Sequence, residues 1–322
     1  MADEGPYHPS QDQLAISSAI DDALAGILPL SRLHDAALEN AELWAELDAL
    51  GPFAMTVSEE LGGSGLGATE EALIVIALGR RLVSPTVLAT IGAVHAKRDH
   101  ASVIQGMTPR VAAAYRRADK VLIIEDPDAQ LFLLREETHA ALYRAPRPFD
   151  VLDDRYWLSS LCGVKTLGEP VASYDAAGLR RLRLLDAAAL TGVAEAALEM
   201  AVDYARMREQ FGRAIGSFQA VKHHCANMAI AARCARDQTS FAAVAIDQAR
   251  PDAEFQVESA LLTAGLAAIE NASKNIQIHG GIGFSEEADP HLLLKRAQLL
   301  NTLAGGLEAA VARIGDLPPV TN

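Results

Sequence analysis

Apolar residues recur at helical spacing over the first fifty positions. Leu14, Ile20, Leu24, Ile27 and Leu28 predict one amphipathic helix, and Leu43, Trp44, Leu47 and Leu50 a second, ended by Gly51-Pro52. Glu59 to Glu71 is glycine-rich and superficially similar to a phosphate-cradling loop. No β-branched run precedes it, however, and Glu70 and Glu71 would occupy the helix N-terminus where a phosphate should sit. A glycine turn feeding a helix over 70–81, capped by Thr69, is the better expectation. An apolar stretch follows Pro85 as far as Val94.

The texture changes between about 100 and 172. Arg110–Tyr115, Lys120–Ile124, Gln130–Leu134, Ala140–Arg144 and Tyr156–Leu161 are short strand-like runs, with turn signals at Asp126-Pro127-Asp128 and Asp153-Asp154. They predict a small antiparallel β-domain of about five strands. From Asp175 onward the chain is nearly all helix-former. Four long helices fit, at 175–208, 217–248, 252–278 and 286–314, with Ser217, Asp252 and Ser285 as caps. The expected architecture is mainly α with a small β-domain: an N-terminal helical domain (1–100), a shortened antiparallel β-domain (101–172) and a C-terminal four-helix bundle (173–322).

Composition narrows the partners. The 322 residues are 50% hydrophobic, enough for a sizeable core, and carry a net charge of −14. That surface would repel nucleic acid and anionic lipid, so an anionic small molecule would need a local basic pocket. Three cysteines without metal-like spacing argue for a reducing compartment, and no run is long and apolar enough to span a bilayer. A cytoplasmic protein without a metal site is expected.

Two stretches carry unusual chemistry. Arg208 to Gln219 reads R-E-Q-F-G-R-A-I-G-S-F-Q, and Gln277 to Phe284 reads Q-I-H-G-G-I-G-F. Arg208 can pair bidentately with a pyrophosphate, Gln210 and Gln277 offer amides, and Phe211 offers an aromatic wall. Gly280 and Gly281 let backbone approach a ligand without an intervening Cβ. Together they suggest a site for a large, flat, anionic cofactor at helix ends.

These motifs resemble those of the flavin-dependent acyl-CoA dehydrogenases. Arg208-Glu209-Gln210-Phe211-Gly212 with Phe218-Gln219 is similar to that family's helix-turn-helix motif, and Gln277–Phe284 to its Gln-x-x-Gly-Gly-x-Gly segment. Glu59–Arg81 looks like its N-terminal Glu-Glu-x-Gly-Gly loop and helix. The resemblance implies FAD as cofactor. Arg208, Gln210, Phe211, Phe218, Gln277, Gly280 and Gly281 would reach across a subunit interface to the adenosine-diphosphate half of a neighbour's FAD.

The same resemblance exposes gaps. The family's reaction needs a carboxylate base beside the substrate. At the two places where members carry it, this chain has Ala304, in Leu303-Ala304-Gly305-Gly306, and Leu182. Neither can take a proton, so no catalytic residue is assigned. Asp186 and Glu308 are the nearby carboxylates and are expected at the surface, solvated or salt-bridged. The family's ring-holding loops are missing: Asp126-Pro127-Asp128 is only a turn, and Trp157-Leu158-Ser159 is out of order. Arg180, Arg181 and Arg183 read as a solvated basic helix face, with a CoA phosphate or another subunit as alternative contacts.

The pattern resembles the smaller, catalytically incomplete subunit of the heterotetrameric acyl-CoA dehydrogenases of steroid and bile-acid side-chain degradation. It implies an α2β2 complex with a full-length subunit that binds most of the acyl-CoA, a thioester with a bulky, steroid-like acyl group. The alternatives are a self-sufficient homo-oligomeric dehydrogenase with a displaced base, and a non-enzymatic acyl-CoA-binding or assembly protein.

Overall fold

The computed structural model describes residues 7–34, 39–97, 109–118, 120–124, 126–145, 151–156, 159–164 and 166–318. Helices α1 (Gln11–Ile27) and α2 (Ala41–Ala49) fall where the periodicity places them. Ser10 and Gln13 cap α1 reciprocally, and Asn40 accepts from Leu43 N at the start of α2. The glycine-rich stretch is a compact turn, closed by Gly65 N to Val57 O at 2.8 Å and Leu66 N to Met55 O at 2.8 Å. It leads into α3 (Ala68–Arg80), and α4 (Pro85–Ala93) follows with Ser84 as its cap.

The N-terminus of α3 is occupied from a distance. Asp247 accepts from Ala68 N (2.6 Å), Thr69 N (2.9 Å) and Thr69 Oγ1 (2.6 Å). Thr69 is therefore a donor within the first turn and not the cap. A carboxylate already sits where a phosphate-binding loop would hold its ligand.

Seven strands form one sheet in the order β5-β6-β2-β1-β3-β4-β7. They are β1 (Val111–Arg117), β2 (Lys120–Ile124), β3 (Leu131–Arg135), β4 (Ala140–Arg144), β5 (Val151–Tyr156), β6 (Ser159–Val164) and β7 (Ala172–Ser173). The antiparallel expectation holds at every pairing but one, since β1 and β3 run parallel with Val111 opposite Leu131. The expected strand Tyr156–Leu161 is the meeting point of two strands, β5 and β6, and Asp153-Asp154 lies inside β5, where the register shifts. Alternation sorts side chains to two faces. Val111, Ala113, Leu122, Leu131 and Leu133 face Ala89 and Ala93 of α4, whereas Ala112, Ala114, Ile123 and Phe132 form a separate cluster behind.

The C-terminal region contains α5 (Ala176–Met207), α6 (Gln219–Asp247), α7 (Ala253–His279), α8 (Pro290–Leu303) and α9 (Leu307–Asp316). The expected fourth helix is two, because Gly305 (φ +93°) and Gly306 (φ +85°) turn the chain through backbone conformations that favour glycine. Ser217 and Ser285 do not cap their helices; Phe218 and Asp289 precede α6 and α8 instead. Asp252 precedes α7, but its carboxylate holds the side chains of Arg250 and Gln256. No helix among the described residues is long and apolar enough to cross a membrane.

Helix α5 packs against α3, α6, α7 and α8. At its crossing with α3 the two backbones nearly touch. A Cβ on Gly192 would lie 2.1 Å from Ile76 O, and one on Gly79 would lie 2.3 Å from Ala189 O. Neither neighbour is a side chain that could swing away. Gly192→Ala is expected to lower the unfolding free energy by about 1–3 kcal/mol, despite a helix-propensity gain of about 1 kcal/mol. Gly26→Ala, in α1 with open space around it, is expected to gain about 0.5–1 kcal/mol. Urea unfolding of both variants checks the contrast, and a Gly192→Ala protein as stable as the parent would contradict it.

Candidate functional site

The site is built at the end of α5. Arg208 leaves the helix in extended conformation, and the chain folds back as a short hairpin, β8 (Glu209–Gln210) with β9 (Arg213–Ala214). Phe211 (φ +53°) and Gly212 (φ +76°) make its two-residue connection, the left-handed geometry that tight hairpins require. Glycine adopts this readily, but a bulky aromatic at positive φ is strained. At the tip of the hairpin the Phe211 ring stands outward, 92% exposed. Its nearest ring is Phe218, edge-on at 6.1 Å between centroids, and the Arg213 guanidinium stands 4.2 Å over the Phe218 ring.

The polar groups of this hairpin are lightly committed. Gln210 Nε2 donates to its neighbour Glu209 O at 2.6 Å. Arg208 is tied down only through its backbone, its N donating to Tyr204 O and its O accepting from Ile215 N, each at 2.8 Å. Among the described residues its exposed guanidinium has no hydrogen-bond or ion-pair partner.

The second motif closes α7. Gln277 is exposed and accepts from Lys274 Nζ at 2.8 Å. His279 stacks on Tyr204 of α5, ring centroids 3.9 Å apart, and its Nδ1 donates to Asn275 O at 2.8 Å. Burial lowers the His279 pKa, which favours the neutral ring. Gly280 has a positive φ (+66°) and needs to be glycine for that reason. Gly281 does not, and a Cβ on it would meet nothing within 4 Å. Among the described residues nothing requires that position to be bare.

The Tyr204–His279 stack brings both motifs to one end of the bundle, where Ala205, Met228 and Ile278 form a small core and Ile215 packs on it. Of the seven expected cofactor contacts, Arg208, Gln210, Phe211, Gln277, Gly280 and Gly281 are exposed there, and Phe218 is half-buried. Met207, Ile282 and Phe284 add exposed apolar surface. Such a patch on a folded chain marks an interaction surface.

The two positions where a base would stand lie elsewhere. Leu182 is buried beneath the sheet, against Gly92, and Ala304 follows the last turn of α8. Both line a cleft of about 730 Å³ between the ends of β1 and β3, the start of α5 and the α8–α9 turn. Asp186, one turn beyond Leu182, lines it too. It is buried and ion-paired with Arg135, not at the surface as expected, while Glu308 is exposed on α9. Burial raises the Asp186 pKa, and Arg135, Arg313 and Arg183 oppose the rise.

The arginine run on α5 is not a solvated face. Arg181 donates to Glu71 at 2.5 Å, Arg180 to Glu254 at 2.6 Å, and Arg183 meets Glu254 and Glu258 at 2.8 Å each. Asp126-Pro127-Asp128 is a turn, as expected, held by Asp126 accepting from Asp128 N at 2.9 Å. Trp157 and Leu158 lie outside the described residues. Among the described residues no group of three His, Cys, Asp or Glu could hold a metal. A further cleft of about 790 Å³, between α1, α3, α5 and α6, contains none of the expected site residues.

The network around Asp186 was missed in the sequence. Its only local signal is that Asp186 stands four residues after Leu182, on the same helix face.

Comparison with known proteins bears on the family and the fold. The family model "Acyl-CoA dehydrogenase, N-terminal domain" matches residues 10–97, and "Acyl-CoA dehydrogenase, C-terminal domain" matches 173–316. Acyl-CoA dehydrogenase IpdE2 of Mycobacterium tuberculosis (strain ATCC 25618 / H37Rv) is 33% identical over 264 residues, covering 79% of this chain and 80% of that protein. Two solved structures share the fold. A variant of the Tcur3481–Tcur3483 steroid ACAD superposes with a TM-score of 0.79 at 21% identity, covering 95% of this chain and 97% of that one. The ChsE4–ChsE5 complex of Mycobacterium tuberculosis superposes with a TM-score of 0.75 at 22% identity, covering 97% and 100%.

The buried pair in the cleft gives a pH-dependent prediction. With its pKa raised, folded Asp186 keeps a proton that the unfolded chain has released over the interval between the two values. Stability therefore rises as pH falls through that interval. Arg135→Met removes the largest opposing charge and widens the interval. The expected loss is about 3–5 kcal/mol at neutral pH and distinctly less in mildly acidic buffer, measured by urea unfolding. Equal losses at both pH values would show that Asp186 is not the group left unpaired.

Proposed function

The chain belongs to the acyl-CoA dehydrogenase family, and from that premise we propose that it is the cofactor-completing, base-lacking subunit of an FAD-dependent complex. The complex would dehydrogenate an acyl-CoA thioester between its α and β carbons, and the acyl group would be bulky and steroid-like. One observation carries the reading. Both motifs expected to meet the cofactor stand open at one end of the bundle, while Leu182 and Ala304, where the resemblance expects the base, line the cleft.

The residues present fit the adenosine-diphosphate half of FAD. Arg208 offers an uncommitted guanidinium for the pyrophosphate, and Gln210 and Gln277 offer amides. Phe211 and Phe218 give an aromatic wall, and the backbone at Gly280 and Gly281 is free to approach. Bound flavin would supply the two-electron acceptor for the dehydrogenation. This chain's part is to hold that cofactor's far end and to exclude water from it. The ring pocket and the base would come from a full-length partner in an α2β2 assembly, and the partner would bind most of the acyl-CoA. The steroid ACAD and the ChsE4–ChsE5 complex, as two-component neighbours of the same fold, favour such a partner.

Asp186 favours a second reading, a self-sufficient dehydrogenase, because it is a carboxylate in the cleft that holds both base positions. Its engagement by Arg135 weakens it as a proton acceptor.

The test is reconstitution. The chain purified alone is expected to carry little or no flavin, and the complex with a full-length relative to carry FAD and dehydrogenase activity. Arg208→Ala in this chain should weaken FAD retention by about tenfold or more, the scale of a lost charge-assisted hydrogen-bond pair. Flavin absorbance per complex reads the result. Stoichiometric FAD and turnover in the lone chain would sink the proposal, and unchanged flavin in the Arg208→Ala complex would favour a scaffold.

A further inference from the structure

The cleft beside Leu182 and Ala304 has chemistry that an interface role leaves unused. One side is apolar, formed by Leu179, Leu182, Leu303 and Ala304. The other is charged, and together with the layer of Arg180, Glu254 and Glu258 behind it its charges do not balance. Arg135 pairs with Asp186, Arg180 with Glu254, Arg183 with Glu254 and Glu258, and Arg313 with Glu258 at 2.9 Å. Arg116 pairs with Glu136 in the same lining, and Arg117 and Glu137 stand there too. Over the lining and the layer behind it, six guanidiniums face five carboxylates, which leaves one positive charge in surplus.

The surplus has an address. Arg313 lines the cleft, and its Nη2 is buried without a hydrogen-bond partner among the described residues. Leaving such a donor unpaired costs free energy that a ligand acceptor would recover. Glu258 Oε2 is also unpartnered, but Glu258 does not line the cleft and offers a ligand no donor. Arg135, Arg183 and Arg313 all act on Asp186, so the three cations converge on one region of the wall. The volume, about 730 Å³, is that of an ordinary small-molecule site.

We propose that this cleft binds an amphipathic monocarboxylate, its apolar body against Leu179, Leu182, Leu303 and Ala304 and its carboxylate on Arg313 and Arg135. A single surplus charge suits a monoanion. Asp186 stands beside the arginines and would repel a phosphate or a second carboxylate. The site uses none of the seven residues at the far end of α5, so it stands or falls independently of FAD binding there.

Octanoate and octan-1-ol, which share an alkyl body and differ in charge, are the probes. Each is titrated calorimetrically into the full chain purified with its partner subunit. Octanoate is expected to bind about tenfold tighter than octanol. Arg313→Gln should remove most of that preference and leave octanol unchanged. Asp186→Asn should act in the opposite direction and tighten octanoate, because it removes the competing carboxylate. Opposite responses cannot come from general loss of structure.

Equal affinity for the two probes would overturn the proposal, as would a fall in octanoate binding in both variants or no change in either. The Arg208→Ala complex separates the two sites: octanoate binding that survives loss of flavin supports a distinct cleft. Binding that disappears with the flavin places the probe elsewhere and also overturns the proposal.

Discussion

The contact on which the rest depends is the crossing of α3 and α5, where Gly79 and Gly192 let two helix backbones meet without side chains between them. Helix α5 has 32 residues, about 48 Å of axis. The crossing pins it near its middle. Leu182 lies ten residues to one side of Gly192 and Tyr204 twelve to the other, about 15 and 18 Å along the axis. A tilt of about 10° at the crossing would carry each end sideways by about 3 Å. That is enough to part the Tyr204–His279 stack at one end or to open the Asp186–Arg135 pair at the other. The backbone contact is therefore a condition for both sites.

Buried charge does the remaining work of orientation. Glu71 is fully buried in α3 and takes His95 after α4 (2.8 Å) and Arg181 on α5 (2.5 Å), which binds three elements at one carboxylate. Arg183 and Arg313 meet at Glu258, joining α5, α7 and α9. Such pairs add little net stability, because desolvation offsets their attraction, but they penalise any other arrangement of the same helices. Arg296 is the extreme case. It is fully buried, with no hydrogen-bonded partner for its guanidinium among the described residues, and its pKa is pushed down to about 10 by burial.

What could be read from the sequence was what local pattern determines. Helical spacing located the main helices, and the alternating runs located β1 to β4. The Arg208–Gly212 and Gln277–Phe284 motifs stood out because glycine, arginine and phenylalanine are costly together unless something uses them. What escaped depends on residues distant in the chain. The cap of α3 comes from Asp247, 179 positions after Ala68. The basic run on α5 looked solvated because Glu71, Glu254 and Glu258 lie on other helices. The parallel pairing of β1 with β3 and the antiparallel pairing of β5 with β6 depend on sheet topology, which short strand patterns do not encode. Gly305-Gly306 was visible as a dipeptide, but helical apolar spacing continues through it, so periodicity alone ran α8 and α9 together.

The length of α5 also bears on how the two sites can relate. From Leu182 to Arg208 is 26 residues, about 39 Å of helix axis. A dinucleotide held at Arg208 cannot reach across that span to the cleft of its own chain. Any cofactor held at the hairpin end would therefore present its reactive ring to another chain. In a self-sufficient homo-oligomer that ring would meet a copy of this cleft, with Leu182 and Ala304 at the base positions and Asp186 tied to Arg135. In a hetero-oligomer it would meet a partner free to carry its own base. The length of a single helix thus links Leu182 and Ala304, at the positions where the resemblance expects a base, to the proposed assembly. For the proposed assembly, an open hairpin on one chain and a cleft with Leu182 and Ala304 at the expected base positions suit a neighbouring chain that is different.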